Sequence, residues 1–159
     1  MRGHLSHDTL VEVPAAVIWD IYRSLELGRL LNELLQDEIG TVEVVQGDGG
    51  VGTILKITFA PGIPGPTYMK EIFTKIDDEI RVKESEVIEG GYKDFGFEYC
   101  GYRLQIIEKD AKSSIIRSSI EYEIDDKLQE IASLVTTKPM EILAVGISKY
   151  LREKTSSSN

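Results

Sequence analysis

The segment from Thr41 to Tyr122 constrains the fold most, because its apolar residues alternate with polar ones in six successive strand-like runs. The predicted strands are Val42–Val44, Ile54–Phe59, Tyr68–Ile76, Arg81–Ile88, Phe95–Ile107 and Ser114–Tyr122. The links between them are short and rich in residues that favour turns, namely glycine, proline and aspartate. Parallel neighbours would need crossovers of about a dozen residues or more, so the short links predict antiparallel pairing.

Other patterns flank this strand-rich region on both sides. Leu5–Val13 predicts a first strand, and Ala15–Tyr22 and Leu27–Leu35 predict two short helices after it. From Asp125 onward apolar residues recur at helical intervals, which predicts one long C-terminal helix. Pro139 lies inside that pattern and should kink the helix, since proline removes a backbone donor there.

Together these elements predict an α+β fold in which a seven-stranded curved antiparallel sheet wraps around the long C-terminal helix. A sheet bent around one helix can leave a hollow, so we expect an internal hydrophobic cavity. Residues 1–159 are predicted to form a single domain, with 154–159 as a flexible tail.

The composition excludes several classes of partner. With 27 acidic and 18 basic residues the formal net charge is −9, so nucleic acid is not expected and a cationic small molecule suits the chain better. The first residues lack an apolar signal core, and no stretch of about 20 apolar residues indicates a membrane span. Cys100 is the single cysteine and cannot form an internal disulfide. We therefore predict a cytoplasmic protein without membrane association.

A run of glycines resembles a nucleotide-binding motif but lacks its context. Gly47, Gly49 and Gly52 satisfy G-x-G-x-x-G, yet a strand-like segment, Thr53–Phe59, follows where the dinucleotide motif needs a helix. A Walker motif would also need a lysine directly after the last glycine, and Thr53 and Ile54 stand there instead. The run is better explained as a hairpin loop whose backbone requires positive φ angles.

Four segments identify a family resemblance that extends over Thr9–Glu153. These segments are Val45–Leu55, Val87–Tyr92, Ser118–Tyr122 and Ala144–Lys149. They resemble the pathogenesis-related class 10 proteins, which have the birch-pollen-allergen (START-like) fold, and among these the norcoclaurine synthase-like branch of plant alkaloid biosynthesis. The resemblance implies an alkaloid-type small molecule in the hollow, with no metal and no organic cofactor.

The resemblance also implies a set of site residues. Norcoclaurine synthases place a tyrosine, a glutamate, a lysine and an aspartate in the hollow, with the lysine as the main proton-transfer group. By similarity the lysine corresponds to Lys83 and the glutamate to Glu71. A bulge could keep Tyr68 in the tyrosine position; otherwise Met69 replaces it. The aspartate falls on Tyr102, so that carboxylate is absent here.

Physical arguments about Lys83 and Glu71 leave two orientations open. An ammonium in a low-dielectric hollow has its pKa lowered, and a nearby carboxylate raises it again, which suits proton transfer. Lys83 could instead point outward on a solvated face. Glu71 shares its strand parity with Met69 and Phe73, which favours an inward side chain.

Further candidates complete the predicted site. His4 and His7 could act as general bases near neutral pH, although histidines in an N-terminal strand are more often without a catalytic role. No cluster of histidine, cysteine and carboxylate side chains has the spacing of a metal site. The expected substrate-binding wall consists of Met69, Phe73, Tyr99, Met140, Leu143, Ala144 and Ile147.

A changed polar set in a retained fold suggests a changed reaction. We therefore expect a cofactor-independent carbon–oxygen lyase of the thebaine-synthase type, which eliminates acetate from salutaridinol 7-O-acetate with ring closure to the morphinan thebaine. Two alternatives remain: a norcoclaurine synthase, which condenses dopamine with 4-hydroxyphenylacetaldehyde, and a non-catalytic carrier of hydrophobic small molecules. The exposed sheet edge could also support a homodimer.

Overall fold

Seven strands form one antiparallel sheet in the computed structural model, which describes residues 1–157 and side chains up to Lys154. The strands are β1 Arg2–Val11, β2 Gly40–Gln46, β3 Ile54–Phe59, β4 Tyr68–Asp77, β5 Val82–Gly90, β6 Phe97–Glu108 and β7 Ser114–Ile124. Their order is β1-β7-β6-β5-β4-β3-β2, which leaves β1 and β2 at the two edges. The predicted seven-stranded antiparallel sheet is confirmed.

Helices fill the positions expected from the sequence. They are α1 Ala15–Tyr22, α2 Glu26–Leu34, a 3₁₀ helix Gly91–Phe95, a second 3₁₀ helix Asp126–Leu134, and α3 Lys138–Ser157. The two short helices after β1 and the long C-terminal helix are therefore confirmed. α3 continues through Ser157, where a tail was predicted from Lys154 onward, and Ser158 and Asn159 lie outside the described residues.

The C-terminal helix does not carry the predicted proline kink. The stretch expected to be one helix is divided into the 3₁₀ helix, which Asp125 caps by accepting a hydrogen bond from the Lys127 backbone at 2.9 Å, and α3. Pro139 is the second residue of α3. Proline is tolerated in a first turn because the missing N–H would have no intrahelical partner there.

The same region, Asp126–Lys154, is by length and composition alone apolar enough for one membrane span. Core helices that pack on a sheet meet that criterion equally. Here the stretch is interrupted after Leu134, and Ala144 and Ile147 are fully buried within the fold. Over the apolar window 28% is buried within the fold, so packing accounts for only part of its apolar composition.

The glycine run forms the loop between β2 and β3, as the hairpin interpretation predicted. Gly47, Gly49 and Gly52 adopt φ angles of +99°, +106° and +95°. The Gly49 N–H donates to Thr53 Oγ1 at 2.9 Å, and the Gly52 N–H donates to the Phe73 carbonyl at 2.8 Å. The backbone donors of this loop are therefore used within the protein.

Two clusters of buried apolar residues make up the core. One joins the three α-helices to β1, β6 and β7 and includes Ile18, Tyr22, Leu30, Ile116 and Ile147. The other lies under the middle of the sheet and includes Phe73, Val87, Phe97, Ile120 and Ile124.

Candidate functional site

A pocket of about 420 Å³ lies between the sheet, α2 and the start of α3. This volume falls within the range of roughly 300–1,000 Å³ that is typical of small-molecule sites. Its walls are mostly apolar, and the loop after β3 contributes Ile63, Pro64 and Pro66.

Asn32 fixes the position of α2 beside this pocket. Its side-chain amide donates to the Val42 carbonyl at 2.9 Å and accepts from the Val42 N–H at 2.6 Å. Because β2 is an edge strand, the amide supplies backbone partners that no neighbouring strand provides. Both residues line the pocket, so this contact sets one wall.

Lys83 points into the protein from β5 and lines the pocket, with only 6% of its surface exposed. Its Nζ donates to the Tyr22 carbonyl at 2.9 Å and lies 3.8 Å from the centroid of the Phe73 ring. Burial lowers the pKa of Lys83 to about 8; Glu71 opposes this shift and Arg23 adds to it. Lys83 can therefore both hold and release a proton near neutral pH.

Glu71 lines the same pocket from β4. Ser85 Oγ donates to its Oε2 at 3.1 Å. Burial raises the pKa of Glu71, while the charge of Lys83 and the hydrogen bond from Ser85 act in the opposite direction. Lys83 and Glu71 thus have different direct partners, Tyr22 and Ser85, and influence each other through their charges.

Of the two candidates for the family tyrosine, Met69 faces the pocket and Tyr68 does not. Met69 is 8% exposed and lines the pocket wall. The Tyr68 hydroxyl donates to Glu89 Oε2 at 3.1 Å, and its ring lies 5.5 Å from Lys56 Nζ. The expected bulge occurs at Lys70 and Glu71 in the pairing with β5, but it does not turn Tyr68 inward. This corrects the expectation that Tyr68 belongs to the catalytic set.

Tyr102 lines the pocket at the position where the resemblance places an aspartate. Its hydroxyl lies 3.7 Å from Met69 Sδ, and burial raises the pKa of the phenol well above its ordinary value. A thioether is a weak acceptor, so the phenol remains available to a ligand as a neutral hydrogen-bonding group.

The expected apolar wall is partly correct. Phe73, Met140 and Leu143 line the pocket with Met69. Ala144 and Ile147 do not line it: one turn further along the same side of α3, both are fully buried in the helical core, to which Leu143 also belongs.

Tyr99 is on the wrong strand parity for the ligand wall. Cys100 and Tyr102 point inward from β6, so Tyr99 points to the opposite face, where it borders a surface depression with Arg2 and Glu121. The two-residue period of β6 already excludes Tyr99 once Tyr102 is placed inside.

The histidines lie outside the pocket lining. His7 Nε2 is 3.1 Å from Glu141 Oε1, and Thr137 Oγ1 donates to Glu141 Oε2 at 3.0 Å, so His7 connects β1 to the first turn of α3. His4 borders the surface depression beside Tyr99. Within the part of the chain that the structure describes, no three histidine, cysteine or carboxylate side chains are grouped to hold a metal ion.

Ser85 is a pocket residue that the sequence reasoning missed. It follows Lys83 by two positions on β5, so strand parity would have placed it on the same face. A short hydroxyl in a run of charged and apolar residues gave no other signal.

Comparison with known proteins agrees with this geometry. The model of the pathogenesis-related protein Bet v 1 family matches residues 1–153. Norbelladine synthase of Narcissus pseudonarcissus is 47% identical over 99% of this chain and 96% of its own length. S-norcoclaurine synthase 1 of Papaver somniferum is 40% identical over 97% of this chain and 67% of its own length.

Solved structures give the same result. The X-ray structure of norcoclaurine synthase from Thalictrum flavum in complex with dopamine and hydroxybenzaldehyde superposes with a TM-score of 0.86 at 36% identity, covering 96% of this chain and 88% of that one. A point mutant of that enzyme in complex with a transition-state analogue has a TM-score of 0.89 at 35% identity, covering 98% of this chain and 97% of that one. The chain belongs to the pathogenesis-related protein Bet v 1 family and has norcoclaurine synthases among its relatives.

Proposed function

We propose that this protein is an enzyme of plant alkaloid biosynthesis that condenses an arylethylamine with an aromatic aldehyde. The observation that carries the proposal is the buried Lys83, whose pKa of about 8 suits proton transfer, in the same pocket as the carboxyl of Glu71. The relative crystallised with dopamine and hydroxybenzaldehyde supports this choice of substrates.

The two charged groups suit successive steps of such a condensation. An arylethylamine enters as an ammonium ion, for which the ionised Glu71 is the natural partner. Lys83, when neutral, accepts a proton from that ammonium, and the free amine nitrogen then attacks the aldehyde carbon. The attacking nitrogen loses its extra proton and the carbonyl oxygen gains one, which gives a neutral carbinolamine. The Lys83 ammonium then returns its proton to that hydroxyl, which leaves as water, so the carbinolamine becomes an iminium ion and Lys83 is neutral again.

The apolar wall contributes orientation. Phe73, Met69, Met140 and Leu143 surround the space in which two aromatic rings would have to meet. Holding the amine and the aldehyde together lowers the entropy cost of bringing two molecules into contact. Limiting the access of water protects the iminium ion from hydrolysis.

The thebaine-synthase reaction is the second candidate, and one observation favours it. Tyr102 stands where the norcoclaurine synthases are expected to carry an aspartate, so the polar set of this pocket differs from theirs. Loss of acetate with ring closure onto a phenol oxygen would also need a proton acceptor, which Lys83 or Glu71 could supply. The identities of the relatives favour the condensation.

Product analysis separates these activities. The purified protein is incubated with dopamine and either 4-hydroxyphenylacetaldehyde or 4-hydroxybenzaldehyde, and in parallel with salutaridinol 7-O-acetate, each against a protein-free control. We expect accelerated loss of the amine and the aldehyde, with iminium-derived or cyclised product detected by chiral chromatography and mass spectrometry. Accelerated release of acetate without condensation would establish the lyase instead. Ligand binding without any acceleration would establish a carrier.

Variants connect the activity to the pocket. Lys83→Met and Glu71→Gln should each abolish the acceleration, because each removes a proton-transfer group. Tyr68→Phe is the matched control, since Tyr68 lies outside the pocket lining and its hydroxyl contacts Glu89. Equal activity in all three variants would place the chemistry elsewhere.

A further inference from the structure

Ser85 lies at the centre of the polar side of the pocket. It pairs with Phe73 on β4 and with Tyr102 on β6. All three residues lie in paired strands of the sheet, so their relative positions are fixed by the backbone hydrogen bonds. Its exposed fraction is 9%, yet it borders the pocket. A buried hydroxyl on a rigid strand has a fixed position relative to its neighbours.

The hydroxyl of Ser85 is directed at Glu71. Oγ donates to Oε2 at 3.1 Å, which engages one of the two carboxyl oxygens and leaves Oε1 for another partner. A glutamate side chain has three rotatable bonds, and a hydrogen bond from a strand-held hydroxyl restricts them. The carboxyl is thereby held in one orientation within the pocket.

We propose that Ser85 is a positioning residue that orients the Glu71 carboxylate to receive the ammonium group of an arylethylamine. This inference rests on the proposed function, because it names the amine as the ligand of Glu71. Ser85 acts through Glu71 and need not touch the reacting atoms.

Other polar groups around Glu71 do not replace Ser85. Lys83 on β5 acts on Glu71 through its charge and donates its hydrogen bond to Tyr22. Tyr102 and Cys100 reach the same region from β6, and the Tyr102 hydroxyl lies against Met69 Sδ. Tyr92, from the 3₁₀ helix Gly91–Phe95, acts on Tyr102, and its hydroxyl donates to the Leu134 carbonyl at 3.3 Å. Among the described residues, the hydrogen bond to this carboxyl comes from Ser85.

An O–H donated to a carboxylate stabilises the ionised form, which is the form that binds a cation. Burial raises the pKa of Glu71, and the hydrogen bond from Ser85 lowers it. Without the hydroxyl the pKa should therefore be higher, so that the carboxyl ionises at higher pH. Amine affinity should then fall, and its dependence on pH should shift upward. Affinity for an uncharged aromatic ligand should not change.

The test compares Ser85→Thr with Ser85→Val, which have nearly the same shape and differ in the hydroxyl; Ser85→Ala is a third variant without added bulk. Calorimetric titrations measure the affinity for dopamine between pH 5 and 8, and the affinity for an aromatic aldehyde without an ionisable hydroxyl, 4-methoxybenzaldehyde, as the uncharged reference. We expect the Val variant to bind dopamine about 5- to 10-fold more weakly than the Thr variant, with equal binding of the aldehyde. Equal dopamine affinities and equal pH profiles in the two variants would overturn the proposal.

A second measurement keeps the two proposals distinguishable. The carboxyl carbon of Glu71 is titrated by ¹³C NMR, with its signal assigned by its loss in Glu71→Gln. A higher pKa in Ser85→Val than in Ser85→Thr supports the positioning role, and an unchanged pKa overturns it. Wild-type protein that binds the aldehyde but not dopamine would contradict the amine-condensing function and, with it, the assignment of the amine as the ligand of Glu71.

Discussion

The ammonium group of Lys83 donates a hydrogen bond to the carbonyl oxygen of Tyr22, 2.9 Å away, at the C-terminal end of α1. Carbonyls in the last turn of a helix lack intrahelical partners and carry the negative end of the helix dipole, so they are favourable acceptors for a cation. The ring of Phe73 covers the same ammonium from 3.8 Å. Lys83 thus provides a hydrogen-bond donor for a carbonyl at the end of α1 and also supplies the pocket with a proton-transfer group.

Stability should depend on pH through Lys83. The pKa of this lysine is about 8 in the folded protein and 10.5 ordinarily, so the unfolded chain holds its proton to higher pH. The cost of burying the charge is therefore complete below pH 8 and disappears as the pH rises from about 8 to 10.5. Over that interval wild-type protein should gain about 3 kcal/mol relative to Lys83→Met.

Urea denaturation of both proteins at several pH values between 7 and 10.5 measures this difference. Subtracting the variant from the wild type removes the contributions of tyrosine ionisation and net charge, which both proteins share. A difference that stays constant would show that Lys83 titrates at its ordinary pKa, and one that declines would show that its pKa is raised; either result contradicts the prediction.

Glu71→Gln should increase stability at neutral pH while removing activity. Burial raises the pKa of Glu71, so the folded state disfavours the ionised carboxyl once the pH exceeds the ordinary value of 4.5. Glutamine avoids that cost and can still accept the hydrogen bond from Ser85. The stabilisation, measured as the difference in free energy of unfolding from wild type, should be small at pH 4 and larger at pH 7. A variant that is less stable at pH 7 would mean that the charge of Lys83 outweighs burial.

Two buried tyrosines should respond in opposite ways to loss of the hydroxyl. The Tyr22 hydroxyl is buried without a hydrogen-bond partner among the described residues. Tyr92 donates to the Leu134 carbonyl and accepts from the Thr136 N–H, both at 3.3 Å. Tyr22→Phe should therefore be neutral or stabilising by about 1 kcal/mol, and Tyr92→Phe should destabilise by about 1–2 kcal/mol. Chemical denaturation measures both, and equal destabilisation would indicate a partner for Tyr22 that the protein itself does not supply.

The glycine loop can be tested with a matched pair of alanine substitutions. At Gly47, with φ of +99°, a Cβ would lie 2.6 Å from Thr53 Oγ1 and 2.7 Å from its Cα. At Gly50, φ is not positive and the nearest atom, Asp48 Oδ1, is 3.4 Å away. Gly47→Ala should cost about 1–3 kcal/mol of unfolding free energy and Gly50→Ala less than about 1 kcal/mol, measured by urea denaturation. Comparable losses would mean that neither conformation nor space distinguishes the two positions.

The fold could be predicted because its strands and turns are determined by local sequence, namely by the spacing of apolar residues and by the glycine, proline and aspartate residues in the links. Alternating residues defined the strands, and the shared parity of Met69, Glu71 and Phe73 correctly placed all three at the pocket. The same rule, applied to β6, would have excluded Tyr99 once Tyr102 was placed inside. That mistake came from choosing residues by type before parity.

The features that could not be predicted from the sequence are tertiary contacts between separate helices and strands. Ala144 and Ile147 have the same apolar character as Met140 and Leu143 and share their side of α3, and only the packing of that helix decides which of the four border the pocket. Likewise, nothing local indicates that the end of α1 would meet Lys83, because the bond to Tyr22 joins residues 61 positions apart.

Tyr102 should contribute to ligand affinity and little to stability. Its hydroxyl faces the pocket, and its partners in the protein are two sulfur groups, Met69 Sδ at 3.7 Å and the thiol of Cys100, which both form weak hydrogen bonds. Tyr102→Phe should therefore change the free energy of unfolding by less than about 0.5 kcal/mol while weakening the binding of 4-hydroxybenzaldehyde about 5-fold. Tyr99→Phe is the control, because Tyr99 lies on the opposite face of β6 and should leave binding unchanged. Calorimetric titration with the aldehyde gives both values. Equal affinities in the two variants would show that the phenol of Tyr102 shapes the pocket without bonding to the ligand.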